Sequence, residues 1–368
     1  MRNKRFIKLL SHVCRTILAL TFIVSGFTKT IDPWGTALKV NEYLTIYGWD
    51  ALRPAAMAFS IWLCGAELMM GCMLLFKVRI RMVSIFALAS MLIFTVITFL
   101  SATVLPVEDC GCFGEAIKLT PWQTFLKNLI ALPMAVVVWW RYRPDRIFSF
   151  RKAELALMCL FFVGSMMLGY YCYRHLPLVD FLPYRVGVNI HKAMVAQTNA
   201  PDEHTETILI YRNRKNGKVR EFRLEDTEWQ NSEKWEWVDT YVESETSVVR
   251  PLISEFAVHN ADGDVTEELL TRSGRLYMLC ITDWNSIPAA CADRMKRLAE
   301  RVTAAGDAVV CLTPEPLYGL KTIAIGEVEI PCYNIDGSTM KTMLRAQNGL
   351  VELEDGVIRG KYNCLDIE

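Results

Sequence analysis

The chain has 368 residues, 52% of them hydrophobic, and its 40 Lys and Arg balance 40 Asp and Glu. The neutral sum hides a split: 18 basic residues face 8 acidic ones up to Lys152, and 22 face 32 after it. The length allows two or three domains; the long apolar runs exclude a uniformly soluble chain, and basic residues gathered at the ends of those runs give no sign of a nucleic-acid face.

In chain order, five stretches are long and apolar enough to span a membrane: residues 9–31, 54–76, 82–104, 122–140 and 153–173. Arg15 interrupts the first, Glu67 the second, and Lys127 with Asn128 the start of the fourth. A cleaved signal peptide is the alternative for the first stretch. Ser25-Gly26-Phe27-Thr28-Lys29 is not a small-residue cleavage site, which favours a retained span. Cations then set an orientation. Arg2, Lys4, Arg5 and Lys8 precede the first span, and Lys77, Arg79 and Arg81 fill the turn after the second. Arg141, Arg143, Arg146, Arg151 and Lys152 lie between the fourth and fifth. With five alternating spans all three clusters share one side, and Lys/Arg-rich short loops are cytoplasmic. The expectation is a multi-pass protein of the cell (inner) membrane. Its N-terminus is cytoplasmic, and everything after Arg174 is periplasmic or extracellular.

Between the third and fourth spans lies Asp109-Cys110-Gly111-Cys112-Phe113-Gly114-Glu115, on the exterior side. Two thiols one glycine apart suit disulfide exchange, because only a thiolate attacks and exchange passes through a mixed disulfide. Glu108, Asp109 and Glu115 oppose thiolate formation. A structural disulfide, or a metal pair short of further ligands, remains the alternative. No metal site is expected. Of the twelve cysteines, Cys14, Cys64, Cys72, Cys159 and Cys172 fall in or beside spans and read as small apolar fillers. Glu67 is the second candidate. A mid-span carboxylate is costly and points to function, here an intramembrane relay with Lys29 or Lys127 as partner; a neutral, hydrogen-bonded Glu is the plainer alternative.

Three motifs in this part, Ser25-Gly26-x-x-Lys29-x-x-Asp32-Pro33, the Cys-Gly-Cys-Phe-Gly loop and Trp122-x-x-Phe125-x-Lys127-Asn128, accompany the glutamate of the second span. Together they resemble the DoxX/MauE superfamily of small four-helix membrane proteins over about residues 5–145. The resemblance implies disulfide or electron handling during assembly of exported proteins. For DoxX itself it implies a subunit of a quinol-oxidising system. No cofactor is evident in the residues, and a quinone is the candidate the resemblance admits. Nothing in the chain points to methylamine.

The exterior part begins with a stalk containing Pro177 and Pro183. The segments at residues 207–211 and 218–223 flank Asn216-Gly217, a hairpin signal. Trp229, Trp235 and Trp237 follow and suit packing across a small sheet better than ligand binding. From about residue 253 the rhythm becomes strand–helix–strand. Strands are expected at 276–281, 308–312, 350–353 and 357–362, with helices at 289–304 and 340–345. This order, with Phe256-x-Val258-x-x-x-Asp262-Gly263 and Ile330-Pro331-x-x-x-x-Asp336-Gly337, resembles a thioredoxin-like domain of the exported TlpA/peroxiredoxin type. The departures are plain. Pro288 and Cys291 stand where that family has its Cys-x-x-Cys, and Asn348 stands at its cis-proline. Cys291, near a helix start, keeps a monothiol role open; Cys280 and Cys311 read as core, and Cys332 as a candidate neighbour of Cys291.

The expected architecture is an α-helical membrane bundle, four DoxX-like helices (1–145) plus a fifth span (146–176). A stalk with a small β-rich insert (177–252) and an α/β thioredoxin-like domain (253–368) follow. The favoured function is a membrane-embedded thiol/disulfide or electron-transfer factor for exported proteins, an oxidoreductase if it is an enzyme. Cys110 and Cys112 are the redox pair, and the exterior domain docks an exported client or redox partner. A non-enzymatic membrane scaffold and an accessory subunit of a quinol-oxidising complex are the alternatives. There is no P-loop, dinucleotide fingerprint, H-E-x-x-H, G-x-S-x-G or haem-attachment motif, and no transporter-like repeat.

Overall fold

The computed structural model describes residues 2–104, 111–144, 151–195, 205–214, 219–223, 226, 229, 234–244, 253 and 256–368. Five helices are long and apolar enough to cross a membrane. They are α1 (Arg2–Ile31), α3 (Ala56–Phe76), α4 (Ile80–Thr103), α5 (Pro121–Tyr142) and α6 (Lys152–Arg174), with α2 (Pro33–Ile46) between the first two. The spans read from hydropathy coincide with these five within a few residues at most ends. The exceptions are α1, which begins earlier, and α2, an additional helix too short to be a span. Asp32 starts α2 by accepting a hydrogen bond from the Gly35 amide at 3.0 Å, and Pro33 at the first helical position costs nothing there. Thr120 and Gln123 form a capping box that starts α5.

The bundle closes around Leu18, Phe22, Met73, Leu74, Val83 and Val138, all buried. Helices α1 and α3 approach closely at two glycines. A Cβ on Gly26 would lie 2.4 Å from the Leu68 amide nitrogen, and one on Gly71 would lie 2.7 Å from that of Ile23. Small residues at such crossings let backbones meet where lipid gives no hydrophobic drive to association. Phe86, Leu92, Ile93, Ile130, Leu160 and Met167 point outward, as a lipid-facing surface requires. Arg15, which seemed to shorten the first span, is buried and stabilising. Its Nη1 donates to the carbonyls of Leu74 at 2.5 Å and Leu75 at 2.6 Å. Those carbonyls lie in the last turn of α3, where carbonyls run short of intrahelical donors and a cation also meets the negative end of the helix dipole.

Residues 256–368 belong to the same compact unit as residues 1–188. They contain β4 (Val258–His259), α8 (Thr266–Thr271), β5 (Arg275–Ile281), α9 (Ala289–Ala305), β6 (Ala308–Thr313), β7 (Thr322–Ile325), β8 (Val328–Ile335), α10 (Gly337–Leu344), β9 (Asn348–Glu354) and β10 (Val357–Asn363). The sheet order is β10-β9-β5-β6-β8-β4, with β7 on β8. Strands β5, β6 and β8 are parallel neighbours, while β9 runs antiparallel to both β5 and β10. Asp355 and Gly356 take φ of 51° and 75° in the β9–β10 turn, the left-handed pair that a tight hairpin needs.

Residues 189–255 form a second unit. It holds α7 (Ile190–Val195) and a three-stranded antiparallel sheet of β1 (Thr205–Asn213), β2 (Val219–Arg223) and β3 (Trp235–Ser244), in the order β2-β1-β3. The hairpin β1–β2 is as the sequence foretold; its Asn216-Gly217 turn lies outside the described residues. Trp229 and Trp235 pack with Tyr211 and Phe222, the packing role expected of them.

Candidate functional site: a cavity beside the Cys112 loop

The chain after α4 returns to the bundle as a short turn. Gly111 and Gly114 take φ of 58° and 57°, and the Gly114 amide donates to the Gly111 carbonyl at 3.0 Å. Positive φ suits glycine at both places. Lys39 of α2 lies over Gly111, where a Cβ would come within 3.3 Å of its Cγ. Phe113 bridges back to Ile117, and the Lys127 ammonium sits 4.6 Å from the Phe113 ring centre, within cation–π range. This fold of the loop holds Cys112 half-buried on the wall of a cavity. Cys110 lies outside the described residues.

The cavity measures about 430 Å³ and runs between the helices of the bundle. Its walls are mostly apolar, with Phe22, Phe59, Leu63, Met91 and Phe94 among them. At one end they turn polar. Ser25, Lys29 and Glu67 meet there, and the Asn128 amide donates to Thr98 Oγ1 at 3.3 Å. A largely apolar hollow with a few converging polar groups is the usual form of a small-molecule site.

Glu67 is 5% exposed, and its carboxylate accepts from the Lys29 ammonium through Oε2 and from the Ser25 hydroxyl through Oε1 at 2.7 Å. Lys29, one of the two partners named from sequence, is therefore the ion-pair partner, and Lys127 instead covers Phe113. Ser25 also lies 2.5 Å from the Cys112 carbonyl oxygen. A serine hydroxyl has one proton, so it donates either to the carbonyl or to the carboxylate. Through Ser25, Glu67 is thereby linked to the backbone of Cys112.

The rim of this cavity carries a contact that sequence reasoning missed. Gly35 and Glu115 line it, and both lie against Arg345, from the turn between α10 and β9. Arg345 is 1% exposed; its Nε donates to Asp32 Oδ2 at 3.2 Å and its Nη2 to Glu115 Oε1 at 3.1 Å. Lys118 pairs with the other Glu115 oxygen at 3.3 Å. Two further contacts join the same parts of the chain. Lys361 pairs with Asp180, and His175 Nδ1 lies 2.7 Å from Asp366.

The cysteines of residues 256–368 resolve differently from expectation. Cys291 is bonded to Cys364, with Cα atoms 5.2 Å apart, and is fully buried. The monothiol role is corrected: a sulfur in a disulfide has no thiolate to offer. Cys332 lies in the same buried core as Cys291 and stands opposite Cys311 on neighbouring strands. A hydrogen bond with Cys332 and burial push the Cys311 thiol up, and burial pushes Cys280 up to about 12, so both are poor nucleophiles. Asn348, at the expected cis-proline position, accepts a hydrogen bond from the Thr282 amide at 3.1 Å; no peptide bond among the described residues is cis. No cluster of metal-ligating side chains occurs among the described residues.

Residues 7–141 match the family described as methylamine utilisation protein MauE, and residues 205–250 match a domain of unknown function. The chain is also 30% identical over 132 residues to Protein TlpB of Flavobacterium psychrophilum, a stretch that is 34% of this chain and 35% of that protein. It thus spans about a third of the length of the curated relative it matches. No solved structure matches it. The family match over the helical part and the five apolar helices identify a multi-pass membrane protein.

Proposed function

We propose that the protein is a membrane-embedded thiol/disulfide or electron-transfer factor serving exported proteins, with Cys110 and Cys112 as its redox pair. The observation that carries this reading is the cavity of about 430 Å³ with Cys112 on its wall and the Lys29–Glu67 ion pair at its polar end. In the oxidising direction, a client dithiol attacks the Cys110–Cys112 disulfide, a mixed disulfide forms, and the second client thiol releases the reduced pair. Two electrons and two protons must then leave. Phe22, Phe59, Met91 and Phe94 line a hollow that would hold a quinone, which when bound would supply the two-electron, two-proton acceptor needed to restore the disulfide; Glu67, through Ser25, would move a proton between the cavity and the Cys112 loop. The reverse direction uses the same atoms.

In this reading the cation-rich turns face the cytoplasm, and the Cys112 loop and the α/β part face the exterior. The α/β part is a thioredoxin-like domain, a reading supported by its parallel β5-α9-β6 unit and the antiparallel β9–β10 hairpin. With Pro288 in place of the first cysteine and Cys291 held by Cys364, it docks partners and does not run a dithiol cycle. The test is replacement of each cysteine. Cys110→Ser and Cys112→Ser should each abolish complementation of a deletion strain while the protein stays in the membrane at normal levels. Full complementation by both variants would leave the scaffold reading in its place.

A further inference from the structure

The groups left unused by that reaction include one with two independent oddities. Arg345 has φ of 55° at the end of α10, a left-handed position where helices favour glycine or asparagine because a Cβ is penalised. It is also almost wholly buried, although arginine is among the residues least often buried unless paired. A backbone outlier in a bulky residue persists where its surroundings over-determine it. Here the surroundings are two carboxylates from distant places in the chain. Asp32 closes α1 and starts α2; Glu115 lies three residues beyond Cys112.

We propose that Arg345 is a positioning residue for the Cys112 loop, through which the exterior α/β part sets how far that cysteine opens to reagents and partners. The proposal assumes Cys112 to be the working thiol, as in the function proposed above. Its logic is electrostatic. The guanidinium fork joins Glu115 to Asp32, so the loop is tied to the end of α1, one helical turn from Lys29, which holds Glu67. Without the guanidinium, the buried Asp32 faces Glu115 as a like charge, with Lys118 on the outer Glu115 oxygen left to balance it, and the loop is the element able to move away. The Ser25 bond to the Cys112 carbonyl would loosen with it. A partner that shifts the α/β part would thus reach Cys112 without touching it.

The experiment uses full-length protein in native membranes, in a Cys110→Ser background so that the Cys112 thiol has no adjacent cysteine. The rate of Cys112 modification by a membrane-impermeant maleimide is followed by mass mapping. Arg345→Ala and Glu115→Gln should each raise that rate by at least about tenfold, as expected when a charged anchor leaves a local opening equilibrium. Arg345→Lys should fall between them and the parent. His175→Ala, which removes the separate contact to Asp366, should leave the rate within about twofold, the scatter expected of a substitution without shared partners. Survival of the Cys291–Cys364 disulfide on the same maps reports that the α/β part is folded; should Arg345→Ala lose it, Glu115→Gln decides. Parent-like rates in every correctly folded variant would overturn the proposal, as would an equal rise in His175→Ala, which would mean simple undocking. Because labelling is scored without activity, these outcomes are separate from failure of the redox function, which the complementation of the two serine variants judges alone.

Discussion

Lys29 and Glu67 neutralise each other inside the bundle, where each alone would be a buried charge without a counter-ion. Removing one partner of such a pair costs about 3–5 kcal/mol, whereas replacing both with apolar groups can be neutral. Lys29→Met should therefore lower the midpoint of heat-induced aggregation in detergent sharply, and Lys29→Met with Glu67→Leu should recover most of it. If the double variant is also inactive in complementation while folded, the pair acts in function and not only in stability. The glutamate was legible in sequence because a mid-span carboxylate is rare and needs a reason. Its partner was legible only as a choice of two, since hydropathy places a lysine along a span but not around it. The Cys291–Cys364 bond was not legible, because it joins residues 73 apart and cysteine counts do not give connectivity. Closing a loop of that size stabilises by about 2–4 kcal/mol. Cys364→Ala should lower the resistance of the α/β part to limited proteolysis and expose one new thiol, at Cys291.

Helix boundaries followed hydropathy because a bilayer-spanning run has a length physics dictates. The crossing of α1 and α3 also follows from sequence once Gly26 and Gly71 are seen to face the partner backbone. Gly26→Val should prevent accumulation of folded protein in the membrane, because its Cβ would lie 2.4 Å from a main-chain nitrogen that cannot yield; normal levels would contradict this packing. The helix α2 is not marked by hydropathy because it is too short and too mixed to be a span; Asp32 and Pro33, at the end of one helix, start the next. The strands of residues 256–368 were legible from apolar runs and turn residues; β7 and β8 were missed because Pro331 and alternating polar residues disguise an edge pairing. Orientation is an element-scale claim as well. Single-cysteine accessibility in a cysteine-free background should place the Lys77–Arg81 turn in the cytoplasm and residues 114–118 outside, and the opposite result would reverse the assignment of sides.

At the scale of the whole molecule, the cavity and the Arg345 contact are the features sequence could not supply. A cavity is space left between helices, and no pattern along one helix records it. Arg345 and Asp32 are 313 residues apart, and the only local trace of their contact is an arginine where the end of a helix favours glycine. The motifs nearest the cavity were nonetheless in view: Ser25, Lys29 and Asp32 fall in one run, and Lys127 and Asn128 in another. What the fold adds is that these runs surround one hollow, with Cys112 on its wall and the exterior part bound at its rim. Under the proposed function, that arrangement would let a lipid-soluble electron carrier and an exported thiol reach the same cysteine pair.

The central claim is that Cys110 and Cys112 cycle between thiols and a disulfide. Acid-quenched thiol trapping in intact membranes, with mass mapping of the two residues, tests it most directly. The account predicts a mixture of reduced and oxidised forms that shifts with mild reductant and yields mixed disulfides with exported proteins when one cysteine is replaced by serine. A pair that is fully oxidised, resists reductant and traps no partner would contradict it.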